Sequence, residues 1–309
     1  MDTLFSKDAQ QAALGFAIKQ QTHIEQGVNE VIYPDIQYPS LIPVDTSANA
    51  FAKTITYFSS DKFGKADWIN GNSNDVPLAG TELAKHETSV HMAGIGYAWS
   101  YEEINQAQML GANLQNEDAM AARRAYEEMV DRVALTGDAA KGFSGLINNS
   151  EVVVEAADTG DWDSATEDQI LADVNKALLG SAAATNYTSV ADTLVMPNEK
   201  LNILATRRLG DTQGTILTFI QMHNTYTAMT GRPLMIRAMR GLEAAGASAD
   251  ARMVAYRRDP SVLKLHIPMP HRFLPVYQDG PLNYVVAGVF RLGGLDIRRP
   301  AEVRYVDGI

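Results

Sequence analysis

The segment SYEEINQAQMLGANLQNEDAMAARRAYEEMVDRVALTG, residues 100–137, constrains the fold more than any other part of the chain. Ser100 and Glu103 form a capping box: the serine oxygen accepts from the Glu103 N–H while the glutamate reaches back to the serine N–H. Ile104, Ala107, Gly111, Leu114, Asp118, Ala121 and Ala125 then recur at three- and four-residue spacing, continued by Met129 and Val133. That spacing predicts one buried face of a helix over 101–136, about ten turns long. The stripe is narrow and built of small residues, which suits a rod lying close along a sheet. Gly137 ends it, because glycine accepts the left-handed backbone that closes a helix.

The stretch after the rod, LTGDAAKGFSGLINN (135–149), invites a phosphate-loop reading and fails it. A Walker loop needs four residues between its first glycine and Gly-Lys, then Ser or Thr, and it opens a helix from a strand. Here Lys141 precedes Gly142 and the loop comes after a helix. The simpler reading is a chain reversal, with Phe143, Leu146 and Ile147 plugging the turn into the core. HETSVH (86–91) fails as a zinc site: His86 and His91 are five apart in a strand-like stretch, which aims them at opposite faces. They read as solvent-facing. GFSG lacks the residue a nucleophile elbow needs between serine and glycine. His23, His223, His266 and His271 are scattered, and His266, alternating with Leu265 and Ile267, reads as the outward face of a strand. The sequons at Asn148 and Asn186 are chance matches. No catalytic residue, metal ligand or cofactor site is expected.

Residues 51–98 read as strand, turn and strand. AFAKTITYFSSDKFGKADWI is rich in β-branched and aromatic residues, NGNSNDVPLAG in turn formers, and TELAKHETSVHMAGIGYAW returns. A two-stranded ribbon is marginal in water. This one carries Phe58, Phe63, Trp68 and Ile69 with no helix in the same stretch to cover them, so it joins a larger sheet or folds against a neighbouring subunit. Before it, Ala12, Ala13, Phe16, Ala17 and Ile24 mark a short amphipathic helix, followed by VIYPDIQYPSLIPVD. Proline at that density denies a helix and a central strand. The stretch reads either as an extended arm lying on another surface, or as an ordinary linker. The arm tyrosines Tyr33 and Tyr38 join the four ribbon residues as expected inter-subunit contacts.

Beyond the rod, Ser164 and Glu167 suggest a second capping box, with Ile170, Leu171, Val174 and Leu178 buried. TLVM (193–196) reads as a buried strand, and Pro197 opens the helix NEKLNILATRRL. PLMIRAM, ARMVAYR, VLKLHI and NYVVAGVFRL have the length and composition of strands. The class is α+β. The chain carries 26 basic and 37 acidic residues, a net charge of −11. It divides as 10 − 19 = −9 over 1–150, 4 − 11 = −7 over 151–230 and 12 − 7 = +5 over 231–309. An acidic chain repels phosphate backbones, and no aromatic-basic interleaving accompanies the arginine-rich end. Arginine also suits carboxylate pairing at subunit contacts. The absence of cysteine excludes disulfides and thiolate sites. No leader or membrane-length apolar run is evident, so the expectation is a soluble chain made in a cytoplasm.

Taken in order, these segments resemble the major capsid proteins of tailed bacteriophages, which share the Hong Kong 97-type capsid fold. RVALTGDAAKGFSGLINN is similar to the family's spine-helix end and Gly-Asp turn. TLVMPNEKLNILATRRL is similar to its strand-helix entry to the axial domain, and VFRLGGLDIRRPAEVRYVDGI to its closing strands. The resemblance implies an N-terminal arm (1–50) and an extended β-ribbon loop (51–98). It further implies a peripheral domain (99–190 and 276–309, with spine helix 101–136) and an axial domain (191–275). It implies pentamers and hexamers in an icosahedral, DNA-enclosing shell of the virion, without membrane or sequence-specific nucleic-acid contact. A portal and a decoration protein are partners of the kind it allows. A chain starting at Met1 leaves little room for a built-in scaffolding segment, so a separate scaffold is expected. Lys62 and Lys65 lie where some relatives cross-link, but no partner for them is identified.

Two other readings stay open on the sequence alone. An encapsulin-like shell of the same fold would enclose cargo enzymes, and nuclease-protected DNA inside the particle distinguishes a capsid from it. A soluble enzyme with an unrecognised site would form a small, discrete oligomer with a ligand pocket.

Overall fold

The computed structural model describes residues 34–69, 76–110, 114–210 and 214–309, without the side chains of 107, 108, 110, 114 and 115. Tyr33 and the helix expected around Ala12–Ile24 lie outside the described residues. The chain divides into a first unit of residues 1–35 and a second of residues 36–309. In chain order the elements of the second unit are α1 (Tyr38–Leu41), β1 (Val44–Asp45), β2 (Thr54–Phe63), β3 (Gly80–Ser89), β4 (His91–Gly94) and β5 (Tyr97–Ser100). Then come α2 (Tyr101–Leu110), α3 (Leu114–Thr136), β6 (Val153–Ala156), α4 (Glu167–Ala184), β7 (Thr193–Met196), α5 (Asn198–Thr206), α6 (Ile216–Met222) and α7 (Thr225–Thr230). The chain closes with β8 (Met235–Ala238), β9 (Arg252–Tyr256), β10 (Leu263–His266), β11 (Met269–Phe273), β12 (Tyr277–Gln278), β13 (Asn283–Val286), β14 (Gly288–Leu292), β15 (Gly294–Ile297) and β16 (Val303–Asp307).

The core is built around a five-stranded sheet in the order β6-β16-β9-β7-β8. Alternate side chains of a strand point to opposite faces, and over the central strands β16, β9 and β7 both faces are covered. Val195, Val254, Tyr256, Val303 and Tyr305 meet Val130, Val133 and Leu135 of α3 and Leu41 and Ile42 of the α1 segment. Leu194, Met196, Met253, Ala255 and Val306 meet Ile170, Val174, Ala177 and Leu178 of α4, with Trp162. Burial on both sides explains why TLVM reads as a buried strand rather than an alternating one. Strands β7, β8 and β9 come from 191–275 and β6 and β16 from the flanking chain, so the sheet is shared between those segments.

The rod begins on the expected box: Ser100 N donates to Glu103 Oε2 at 2.8 Å and Glu103 N to Ser100 Oγ at 3.2 Å. Its buried face meets the predicted one at Val133, with Met129 packed against the core, and departs from it further up the rod. Ala122, Tyr126, Val130 and Val133 are buried while Ala121 is exposed and Ala125 half-buried. The small residues that set the predicted stripe carry little apolar area. Tyr126 decides the face instead, packing edge-on against Phe290 at 4.8 Å and stacking on His271 at 5.3 Å. The first ten residues, α2, lie mostly at the surface.

The reversal after the rod is a lid on the helix end. Leu146 N and Ile147 N donate to Ala134 O and Leu135 O at 3.0 and 3.2 Å, satisfying carbonyls that a helix end leaves open. Asn148 donates to Thr136 O at 2.8 Å and accepts from Gly145 N at 2.7 Å. The crossing strands touch at two glycines. A Cβ on Gly137, which has φ of +77°, would sit 2.4 Å from Phe143 O, and one on Gly145 would sit 2.3 Å from Leu135 O. Phe143, Leu146 and Ile147 are buried, as the plug requires.

Four expectations need correction. The second box is Thr166 with Gln169, two residues beyond Ser164 and Glu167, and it opens α4 directly. NYVVAGVFRL is two strands, β13 and β14, which pair with different partners across the break at Ala287. The proline-rich stretch does hold a helical turn, α1, with Pro39 in its first turn where a missing N–H leaves no bond unmade. His266 is not outward-facing. It is 1% exposed, with Asp45 of β1 in register beside it and Asp296 of β15 on its other side. The arginine-rich end is also largely committed within the chain: Arg252 pairs with Asp307 at 2.6 Å, Arg298 with Asp296 at 3.0 Å and Arg299 with Glu302 at 3.2 Å.

Candidate functional site

The ribbon β2-β3 pairs over ten residues on each strand, from Thr54 opposite Ser89 to Phe63 opposite Gly80, and among the described residues no third strand joins it. Its root is anchored. Ile55 and Tyr57 are half-buried, the Arg298 guanidinium lies 4.3 Å over the Tyr57 ring, and His86 stacks on the other strand at 4.7 Å from that ring. Burial, and the negative charge of Asp296 nearby, push the Tyr57 hydroxyl above the usual tyrosine range.

Beyond the root both faces are open to water. Phe58 is 68% exposed, Phe63 60%, Ile69 52% and Trp68 100%. Val76, Leu78 and Leu83 are exposed beside them. Of the residues named from the sequence, the structure therefore brings Phe58, Phe63, Trp68 and Ile69 onto one projecting element. Tyr38 belongs elsewhere: it is buried in the chain's own core, with its hydroxyl donating to Glu127 at 2.8 Å and its N–H to Asp131 at 2.8 Å. Burial and the Glu127 carboxylate push that hydroxyl far above its usual range.

A second exposed apolar group was missed. Val276, Tyr277 and Leu282 flank the β12-β13 hairpin, with Tyr101 beside Leu282 through a 2.8 Å backbone bond. The signal was legible: Asp279-Gly280 between apolar residues is a hairpin dipeptide, and Gly280 has φ of +88°.

The chemistry sites rejected from sequence sit as follows. Lys141 is exposed at the edge of an open cleft of about 720 Å³ that it shares with Lys85, Glu87 and Glu151. Mixed charge of this kind offers no phosphate cradle. His86 is exposed and bonds Ser59 Oγ at 3.0 Å, whereas His91 is half-buried against the edge of Phe143. Among the described residues no three His, Asp or Glu side chains converge as a metal site, and no helix is long and apolar enough to cross a membrane.

The sequence profile of the Major capsid protein family matches residues 64–309. This chain belongs to the major capsid protein family. It is accordingly a structural component of a capsid. Solved structures share the fold of this capsid protein. The capsid of Myoviridae phage XM1 superposes with a TM-score of 0.81 at 19% identity, over 94% of this chain and 98% of that one. The capsid of the native GTA particle gives 0.64 at 10% identity, over 99% of each chain. Mycobacterium phage Bobi gives 0.63 at 14% identity, also over 99% of each. No curated protein matches the sequence.

Proposed function

We propose that many copies of this chain assemble as pentamers and hexamers into the icosahedral head of a tailed phage and enclose its DNA. The observation that carries this reading is the ribbon. An isolated two-stranded element with Phe58, Phe63, Trp68 and Leu83 in water is unfavourable as a monomer surface, and apolar surface of that kind marks an interaction site. The family membership supports a shell as the partner surface. An acidic chain keeps enclosed DNA from adhering to the wall.

The finer architecture follows the Hong Kong 97-type plan. Residues 1–50 are the arm, 51–98 the extended loop, 99–190 with 276–309 the peripheral domain, and 191–275 the axial domain. The order of the elements supports this division, and the shared five-stranded sheet would be the joint between the last two. The chain is mechanical rather than catalytic. A separate scaffold, a portal and a decoration protein complete the set of partners.

The test is assembly of the full chain with scaffold supplied, followed by light scattering and negative-stain microscopy. Closed megadalton particles containing nuclease-protected DNA are expected when the packaging partners are present. Monomers or dimers alone would refute the shell, and particles holding protein cargo in place of DNA would favour an encapsulin-like compartment.

A further inference from the structure

The two faces of the ribbon carry opposite charge. Residues directly opposite in an antiparallel pair share a face, and neighbours along a strand alternate between faces. Asp61 therefore stands beside Glu82, and Phe63 beside Gly80, on the face that carries Tyr57 and His86 at the root. Phe58 stands beside Lys85 on the other face, with Lys62, Leu83 and Glu87. Over the paired strands, Thr54–Phe63 and Gly80–Ser89, the first face holds two carboxylates and no lysine or arginine, a charge of −2. The second holds Lys62 and Lys85 against Glu87, 2 − 1 = +1. Lys85 pairs with Glu87 on its own face, whereas among the described residues no cation pairs with Asp61 or Glu82. Like charges directly opposite destabilise a strand pair, so the acid pair is a cost to the free ribbon. Each face also holds apolar surface in water: Phe63 on the acidic face, Phe58 and Leu83 on the basic one. The Phe63 ring occupies the space a Cβ at Gly80 would fill, so it lies over the partner strand next to the acid pair.

We propose that ribbons of neighbouring copies stack, the acidic face of one on the basic face of the next, and that this contact covers Phe58, Phe63 and Leu83. The proposal rests on the shell reading and names the surface the ribbon meets. Packed sheets lie about 10 Å apart with their side chains interdigitated, within reach of a lysine for a carboxylate across the gap. Two ribbons can stack in three ways. Acidic on acidic brings four carboxylates together with no lysine or arginine, and basic on basic sets four lysines against two glutamates. Only the mixed stack sets the unpaired Asp61 and Glu82 against lysines. It is a heterologous contact: each copy gives one face and receives the other, so it repeats around a ring. Stacking of like faces would stop at two copies. Near the root the acidic-side residues Ile55 and Tyr57 are half-buried, so the stack uses the outer part, 58–63 with 80–85.

The test reverses charge face by face in the full chain, with scaffold supplied. Asp61→Lys with Glu82→Lys makes both faces basic. Lys62→Glu, Lys85→Glu and Glu87→Lys together make both faces acidic. All of these positions are exposed, so subunit melting should match the wild type. Particle yield should fall about tenfold or more in either variant, because like charges then meet across the contact. The chain carrying every one of these changes has its two faces exchanged in sign and should assemble as the wild type does. Single-face variants that assemble normally, or an exchanged chain that does not recover, would overturn the stacking; the second outcome would seat the ribbon on another surface of its neighbour. If a reversed chain does not fold, Asp61→Asn with Glu82→Gln carries the test. Its yield should be lower and less sensitive to salt, and equality with the wild type in both would overturn the proposal. Wild-type particles beside an unrecovered exchanged chain refute the stacking alone, whereas a wild type that forms no particles refutes the shell and the stacking with it.

Discussion

Strands β9 and β2 are made from similar material. RMVAY and TITYFSSDKF both mix β-branched, aromatic and polar residues, yet every residue of β9 is buried and eight of the ten in β2 are exposed. The difference lies in what covers them. The central sheet has α4 on one face and α3 with the α1 segment on the other, all from the same chain. Among the described residues the ribbon has only its own second strand. Residue type sets how much is gained when a strand is covered, and topology sets whether the cover comes from the same subunit. In this capsid protein the central strands are covered within the monomer, and on the proposed function the ribbon finds its cover in the shell.

The widest separation should appear in hydrogen exchange on free subunits. Amides of β9 and β16 should open only with global unfolding, about 5–15 kcal/mol, whereas those of 58–63 and 80–85 should exchange with almost no protection. Equal protection in the two regions would erase the contrast. Next in size is Trp162→Ala. Trp162 is fully buried under α4 and donates through its indole N–H to Asp173 at 3.1 Å, so truncation should cost the subunit about 3–5 kcal/mol and lower its melting temperature sharply. Trp68→Ala is the counterpart on the ribbon. Subunit melting should stay unchanged while particle yield collapses, at about 2 kcal/mol lost per contact. A melting loss like that of Trp162→Ala would mean that Trp68 serves its own subunit.

The smallest effect concerns the junction between the two regions. Burial alone would raise the Asp45 and Asp296 carboxyls. Hydrogen bonds from Lys264 and Ser47 hold Asp45 far below the usual range instead, and those from His266 and Arg298 hold Asp296 below it. Groups lowered in the folded state contribute stability above the ordinary aspartate value, about 3.9, and lose it as pH falls through the folded value. Acid titration monitored by circular dichroism should show a stability loss below about pH 4 that Asp45→Asn reduces. An identical acid limb in that variant would remove Asp45 from the account.

Much of this was readable in the chain. Ser100 with Glu103, the reversal glycines Gly137 and Gly145, the buried TLVM strand, the strand at RMVAY and the uncovered ribbon all follow from local chemistry: caps, backbone freedom, β-propensity and the count of nearby apolar partners. Local chemistry acts over a few residues and leaves a local trace. The positions that escaped are those whose environment comes from far away in the sequence. Tyr38 looked like an exposed arm tyrosine, but Asp131 and Glu127, some ninety positions on, draw it into the core. The rod's buried face turned on Tyr126 meeting Phe290 and His271, not on the spacing of its alanines. His266 alternated with Leu265 and Ile267 as an outward residue should, yet it is buried, with β1, more than two hundred positions earlier, in register beside it. Period and propensity in the sequence determined which segments become helix, strand and turn. Only the tertiary structure decided which face of each is covered and by what, because burial is a property of the partner as much as of the residue.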